Sequence, residues 1–368
     1  MDSYPCCISL GFKKPLPMPI RLLSFTVLLF CLAPAASAQK TLATNNTAIE
    51  MRTKEACIVN AGKLLNEVFT LMQKNYYRKE VVAWDSLENA ARLRLQNSST
   101  CEAAYETIGW CFDVMKEKHS FIMPAVKAAE YNNDTSFMRF TPQLKNWVGE
   151  IKTELLEDEI AYLSVPWVTT TDETICTLIA DSLQQLIAQY DGAGINKWII
   201  DLRKNTGGNC WPMLAGVGPL LGNGTCGFFV RKEDKVPFSY ENGAAMQGKY
   251  IRCKTSKPGY QLQQHNPTII LLTGPKTSSS GEIVTLAFKG LPNTYVYGEP
   301  TAGLTTANAT YTLSNNAQLV LTVCQEADRN GKIYEGRLHP DELIVPSPSQ
   351  LKEDIVKAAA IMFLQSRQ

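Results

Sequence analysis

Three short stretches carry residue types whose spacing could do chemistry. Lys276-Thr277-Ser278-Ser279-Ser280-Gly281-Glu282 sets three consecutive serines between the apolar run Thr268 to Leu272 and a second apolar stretch. This reads as a strand-to-helix junction, where a serine lies near the positive end of the helix and its free backbone N–H groups. Such groups can stabilise the oxyanion of acyl transfer. Simple capping by Ser278, Ser279 and Ser280 accounts for the same residues. The second stretch, residues 201–208 (DLRKNTGG), ends a strand in a loop with Gly207-Gly208. Paired glycines let backbone approach a ligand closely and turn N–H groups inward; a loop that merely needs positive φ is the plainer reading. No Gly-Lys-Ser/Thr follows and no dinucleotide fingerprint is present, which excludes a nucleotide-phosphate loop. The third is His119-Ser120. The chain has three histidines, His119, His265 and His339, so imidazole chemistry must come from one of these. His265 lies in a polar loop and His339 in RLHPDE, and neither has a better local context than His119.

The elements that must position these groups can be read from periodicity. Residues 39–130 predict helices: Ile58, Ala61, Leu65, Val68 and Met72 recur at helical spacing, as do Tyr105, Ile108, Phe112 and Met115. Asp85 with Glu88, and Ser99 with Glu102, look like helix starts. The last of these helices runs out at KEKHSF, residues 116–121, so His119 falls at or just beyond a helix end. From about residue 145 strands and helices alternate. Residues 159–168, 197–202, 268–272 and 294–298 read as strands; Ile175 to Tyr190, a stretch near 211–221 and the segment after Ser280 read as helices. Such alternation predicts an α/β core with parallel strands. Residues 303–333 read instead as β-hairpins, with turns at Asn315-Asn316 and Asn330-Gly331. A terminal helix is expected to be capped by Ser347, with Pro348 at its first position and Gln350 three residues after the cap. The stripes read as core rather than as cofactor boxes.

Composition sets the frame. The 368 residues include 36 basic and 35 acidic side chains, 11 cysteines and 45% hydrophobic residues. That is an ordinary balance for a globular chain and carries no electrostatic footprint for nucleic acid. Lys13, Lys14 and Arg21 precede an uncharged apolar run, Leu22 to Pro34, which ends at Ala36-Ser37-Ala38. This predicts a secretory signal peptide over 1–38, with a run too short to span a membrane comfortably. Its loss leaves a net charge of −1 and eight cysteines, an even number that permits disulfides in an exported protein, while free buried cysteines are the alternative for several. The expected organisation is 1–38 signal peptide, 39–130 helical N-terminal domain and 131–368 α/β core.

The order and spacing of the motifs carry a resemblance. KEKHSF, DEIAYLSVPWV, DLRKNTGG, TIILLTGPKTSSSGE, GEPTAGLTT and YEGRLHPDE together resemble the tail-specific or C-terminal-processing serine peptidases, a family that includes the core of tricorn protease. The likeness covers essentially the whole mature chain. It implies a ClpP/crotonase-like α/β core preceded by a small helical domain. It places the nucleophile at Ser279, with oxyanion donors from the Ser280 N–H and from Gly207 or Gly208. Two departures matter. Leu304 stands where members with a serine–lysine dyad carry lysine, and the 39 residues between His119 and the strand at 159 leave no room for a PDZ domain. The tricorn-like branch uses serine, histidine and glutamate; by that likeness His119 is the base and Glu335 orients it, with Asp341 as the fallback. Histidine suits the role because its unperturbed pKa lies near 6.5.

The resemblance implies an exported serine endopeptidase, periplasmic or secreted, acting on protein or peptide substrates through an acyl-enzyme. It implies no metal or organic cofactor and no nucleic-acid partner. Two other readings stay open. One is an inactive member of the fold that binds peptides or other ligands; the other is a dyad in which Lys276, three residues before Ser279, serves as base.

Overall fold

The structure, a computed structural model, describes residues 61–95, 100–128, 148–232, 234–347 and 354–367. The expected signal peptide lies outside them. The chain divides into two compact units: residues 1–129 with 310–320, and residues 130–309 with 321–368.

The described part of the first unit is helical. Helices α1 (Ala61–Asn75), α2 (Trp84–Leu95) and α3 (Cys101–Val114) bury Leu64, Leu65, Val68, Phe69 and Met72 of α1 against Leu87 and Ala91 of α2 and Ala104, Ile108, Cys111 and Phe112 of α3. Asp85 sits inside the first turn of α2 rather than capping it. Its charge there complements the helix dipole. Thr100 caps α3, its Oγ1 accepting from the Ala103 N–H at 3.2 Å; Ser99 lies outside the described residues. A short strand β1 (Phe121–Met123) follows α3 and pairs antiparallel with residues 318–320.

The second unit is mixed α/β. One sheet has the order β14-β10-β9-β4-β3-β2: β2 (Thr153–Leu156), β3 (Ile160–Ser164), β4 (Lys197–Asp201), β9 (Thr268–Thr273), β10 (Thr294–Gly298) and β14 (Glu342–Leu343). All neighbouring pairs are parallel except β2 with β3. Its central strands are buried apolar runs, as parallel strands covered on both faces require. Helix α5 (Cys210–Leu221) packs against both α4 (Glu173–Gly192) and α6 (Ser280–Phe288), and every residue of α5 and α6 is buried. Helix α7 (Ile355–Gln365) buries Val356, Ala360 and Leu364 against Ile199, Ile270, Leu272 and Tyr297. The described α7 is capped by Asp354, which accepts from the Lys357 N–H, and not by Ser347; residues 348–350 lie outside the description.

The remaining strands are antiparallel. β5 (Gly224–Arg231), β6 (Asp234–Glu241), β7 (Ala244–Gln247) and β8 (Tyr250–Lys254) form a meander. β11 (Thr306–Thr312), β12 (Gln318–Ala327) and β13 (Ile333–Tyr334) supply the expected hairpins, and β12 pairs with β5 through residues 325–327. The meander is absent from the sequence reading. Among the described residues no helix is long and apolar enough to cross a membrane.

Candidate active site

Strand β9 ends at Thr273 and α6 begins at Ser280, so the serine segment is a strand-to-helix junction. Its three serines are not equivalent. Ser278 Oγ donates to the Thr206 carbonyl at 2.9 Å and Ser280 Oγ to the Gly208 carbonyl at 2.6 Å, so both pin the junction to the glycine loop. Ser279, between them, holds φ +51° and ψ −115°. A non-glycine residue in such a conformation costs on the order of 1–3 kcal/mol and persists only when its surroundings over-determine it.

Glu282 supplies much of that determination. It is fully buried, and its carboxylate accepts four hydrogen bonds. The Ser279 and Leu304 N–H groups donate to Oε2, each at 2.8 Å, and the Thr301 hydroxyl and Gly303 N–H donate to Oε1. One side chain thus ties the junction to the 301–304 turn. Burial pushes the Glu282 carboxyl above its ordinary range, against the opposing pull of Thr301, Gly303, Ser279 and Leu304. Leu304, where the sequence resemblance looks for a dyad lysine, contributes its backbone to this anchor.

The 201–208 loop lies against the junction. Asn205 is fully buried; its Nδ2 donates to the Val165 and Pro166 carbonyls and its Oδ1 accepts the Gly207 N–H at 3.0 Å. The Ser278 N–H donates to the Asn205 carbonyl and Thr277 Oγ1 to the Leu202 carbonyl. Gly207 and Gly208 hold φ of +97° and +105°. A Cβ on Gly207 would lie 2.9 Å from Ser279 Cβ, and one on Gly208 would lie 2.0 Å from the Val168 carbonyl oxygen. Both positions therefore require glycine, and Gly207 touches Ser279. The Gly207 N–H is engaged by Asn205, whereas among the described residues no bond is seen from the N–H of Gly208 or of Ser280. Ser280 opens α6, where an N–H has no carbonyl of its own helix to bond.

Below the glycine loop, Arg203 makes hydrogen-bonded ion pairs with two carboxylates, Asp201 at the end of β4 and Asp354 at the cap of α7, with closest approaches of 2.6 Å to each. Tyr162 donates to Asp201 at 2.9 Å.

The other expected residues are placed as follows. His119 is half-buried in the first unit, five residues beyond the end of α3. Glu335 is exposed in the second unit, its Oε1 accepting from Gln325 Nε2 at 2.8 Å. The Asp341 N–H donates to the Val296 carbonyl at 2.7 Å while its carboxylate accepts the Val296 N–H at 2.8 Å, which makes it a turn clamp. Lys276, His265 and His339 are exposed. The supporting roles of Asn205, Glu282 and Thr301 were not read from sequence, although the three-residue spacing from Ser279 to Glu282 carries a capping-box signal.

Residues 159–344 match the model of peptidase family S41. The chain belongs to that family and is a serine-type peptidase. It is similar to a nisin-resistance protein from Lactococcus lactis subsp. lactis, with 28% identity over 277 residues, or 74% of this chain and 78% of that protein. Among solved structures it resembles a lipoprotein from Streptococcus agalactiae, at 23% identity, 84% coverage of this chain, 97% of that one and a TM-score of 0.65. It also resembles the photosystem II D1 C-terminal processing protease, at 13% identity, 77% and 93% coverage and a TM-score of 0.52. These likenesses show an α/β peptidase fold with a helical N-terminal region.

Proposed function

We propose that this chain is an exported endopeptidase that cleaves protein or peptide substrates through an acyl-enzyme on Ser279. The observation that carries the reading is the backbone of Ser279, held at positive φ on a strand-to-helix junction with Gly207 against its Cβ. Strain of this kind clusters at reactive residues, and a sharp strand-to-helix turn is how other hydrolase folds expose a nucleophilic serine.

In the proposed reaction Ser279 Oγ attacks the scissile carbonyl carbon and its proton passes to His119. The carbonyl π electrons move onto oxygen, and the resulting oxyanion accepts from the N–H of Ser280 and of Gly208. Of the two glycines, Gly208 is favoured as donor because the Gly207 N–H is already bonded to Asn205. Collapse expels the amine, which takes the proton from the imidazolium; water then hydrolyses the acyl-enzyme by the same steps, with His119 again as base. Glu335 is assigned to orient the imidazole, since the Asp341 carboxylate is committed to Val296. The assignments of His119 and Glu335 rest on the sequence resemblance.

Export is supported by the signal-like leader and by Cys101, which is disulfide-bonded, since disulfides persist in oxidising compartments. A relative that is a lipoprotein points the same way.

Hydrolysis of an unstructured peptide by the mature protein tests the reading. Ser279→Ala and His119→Ala should each lower kcat by about 10⁴-fold or more, as in other serine–histidine enzymes. Full hydrolysis by Ser279→Ala would overturn the proposal. Peptide capture with no hydrolysis in the wild type would select the inactive binder, and loss in Lys276→Ala but not His119→Ala would select the lysine dyad.

A further inference from the structure

We infer that Glu117, backed by Tyr76, positions the backbone that carries His119, beside the orienting role given to Glu335; the inference rests on the reading of His119 as the base. Helix α3 ends in a Schellman motif built without glycine. Met115 is the cap, Lys116 holds φ +55°, and the Glu117 N–H bonds back to the Phe112 carbonyl at 2.8 Å. The chain turns there, and the Glu117 side chain folds inward, 9% exposed. Its Oε1 accepts the His119 N–H at 2.7 Å and the Ser120 N–H at 3.1 Å. Its Oε2 accepts the Tyr76 hydroxyl at 2.9 Å.

Tyr76 is 3% exposed and lies one residue past α1, with its own N–H bonded to the Met72 carbonyl. One carboxylate therefore joins two successive peptide N–H groups of the histidine-bearing loop to the buried core of the first unit. Burial first, and then the adjacent Glu117, push the Tyr76 phenol far up, so it remains a donor over any working pH. The staple grips the backbone on both sides of the His119 carbonyl, so it sets where the Cα–Cβ bond of His119 points. A misplacement of about 1 Å in a reacting group can cost on the order of 100-fold in rate. A turn staple with no catalytic consequence would serve as well at any loop, and the two readings differ in whether Glu117 acts through the imidazole.

A double-mutant cycle on the mature protein separates them, read as the rate of Ser279 labelling by a fluorophosphonate and as kcat and KM for a peptide. Glu117→Ala should lower labelling and kcat by roughly 10- to 100-fold with KM within about twofold. In the His119→Ala background the same change should add nothing. Glu117→Gln keeps Oε1 as acceptor for both peptide groups and should recover most of the rate. Tyr76→Phe removes a single hydrogen bond, keeps the fold if Glu117→Ala does not, and should lower kcat by about threefold. A wild-type rate in both Glu117→Ala and Tyr76→Phe, or an additive loss in the double mutant, would overturn the inference alone. A wild-type rate in His119→Ala would overturn the base assignment itself, and this role with it.

Discussion

At Ser279 the backbone holds a conformation that few side chains adopt, and the neighbouring hydrogen bonds explain how it is kept. Ser278 and Ser280 spend their hydroxyls on the 206–208 carbonyls, while Glu282 holds the Ser279 N–H from below. Three adjacent serines could not be told apart by type or spacing alone. What separates them is partners more than 70 residues away in sequence, and only the folded chain supplies those. The strain predicts sensitivity at Glu282. Glu282→Gln keeps the shape but offers one acceptor oxygen in place of two, so at least one of the three backbone N–H donors loses its partner. Each buried donor left unpaired costs about 1–3 kcal/mol. The variant should unfold at lower denaturant concentration and lose most of its peptidase activity. Wild-type stability in urea would show that the four bonds do not hold the junction.

Among the elements, the parallel sheet was the most legible part of the chain. Runs such as Trp198 to Asp201 and Ile269 to Thr273 are buried on both faces and are flanked by residues that break strands or start helices. The β5–β8 meander was missed because its strands mix exposed and buried residues irregularly and contain Pro237. Asn242-Gly243, with φ of +42° and +92°, was the hairpin signal that could have found it. The Ser347 cap was read from a local pattern, whereas α7 is capped by Asp354, the residue that also receives Arg203. This tie gives a pH signature. Burial would raise the Asp354 carboxyl, but the bonds and charges of Arg203 and Lys357 outweigh it and hold the group below its ordinary value. The folded chain therefore binds this proton less readily than the unfolded chain. The stabilisation is complete above the unfolded pKa of about 3.9 and disappears as pH falls through the folded value. Asp354→Asn keeps a capping side chain and removes the charge. Because the pair is partly exposed, the loss should be about 1 kcal/mol or less, a midpoint lower by no more than about 2 °C at pH 7. That gap should narrow when the pH is taken below about 4. An unchanged gap would show that the ion pair does not stabilise the cap.

Over the whole molecule, the cysteines bear on where the protein works and on what chemistry it uses. Cys111, Cys176, Cys210, Cys226, Cys253 and Cys324 are free and buried, and Cys101 is disulfide-bonded. Burial pushes Cys111, Cys176 and Cys253 up to about 12 and Cys226 to about 11. At pH 7.5 about one in several thousand of these thiols, or fewer, is ionised, which leaves them inert as nucleophiles. Iodoacetamide should therefore leave these four unmodified in the native protein, modify them after denaturation, and reach Cys101 only after reduction. Rapid native alkylation at any of the four would contradict the burial. Sequence alone permitted disulfides but could not divide paired from buried cysteines, because pairing depends on the distance between segments far apart in the chain. The same holds for the peptidase assignment. Its motifs were legible in order and spacing, while the contact of Gly207 with Ser279 required the folded loops.

The most direct measurement of the central claim is the site of a covalent adduct. The mature protein is treated with a fluorophosphonate at pH 7.5, digested and mapped by mass spectrometry. A single adduct on Ser279, absent from Ser279→Ala and slowed in His119→Ala, is the predicted result. An adduct on Ser278 or Ser280, or equal labelling of the wild type and Ser279→Ala, would contradict it.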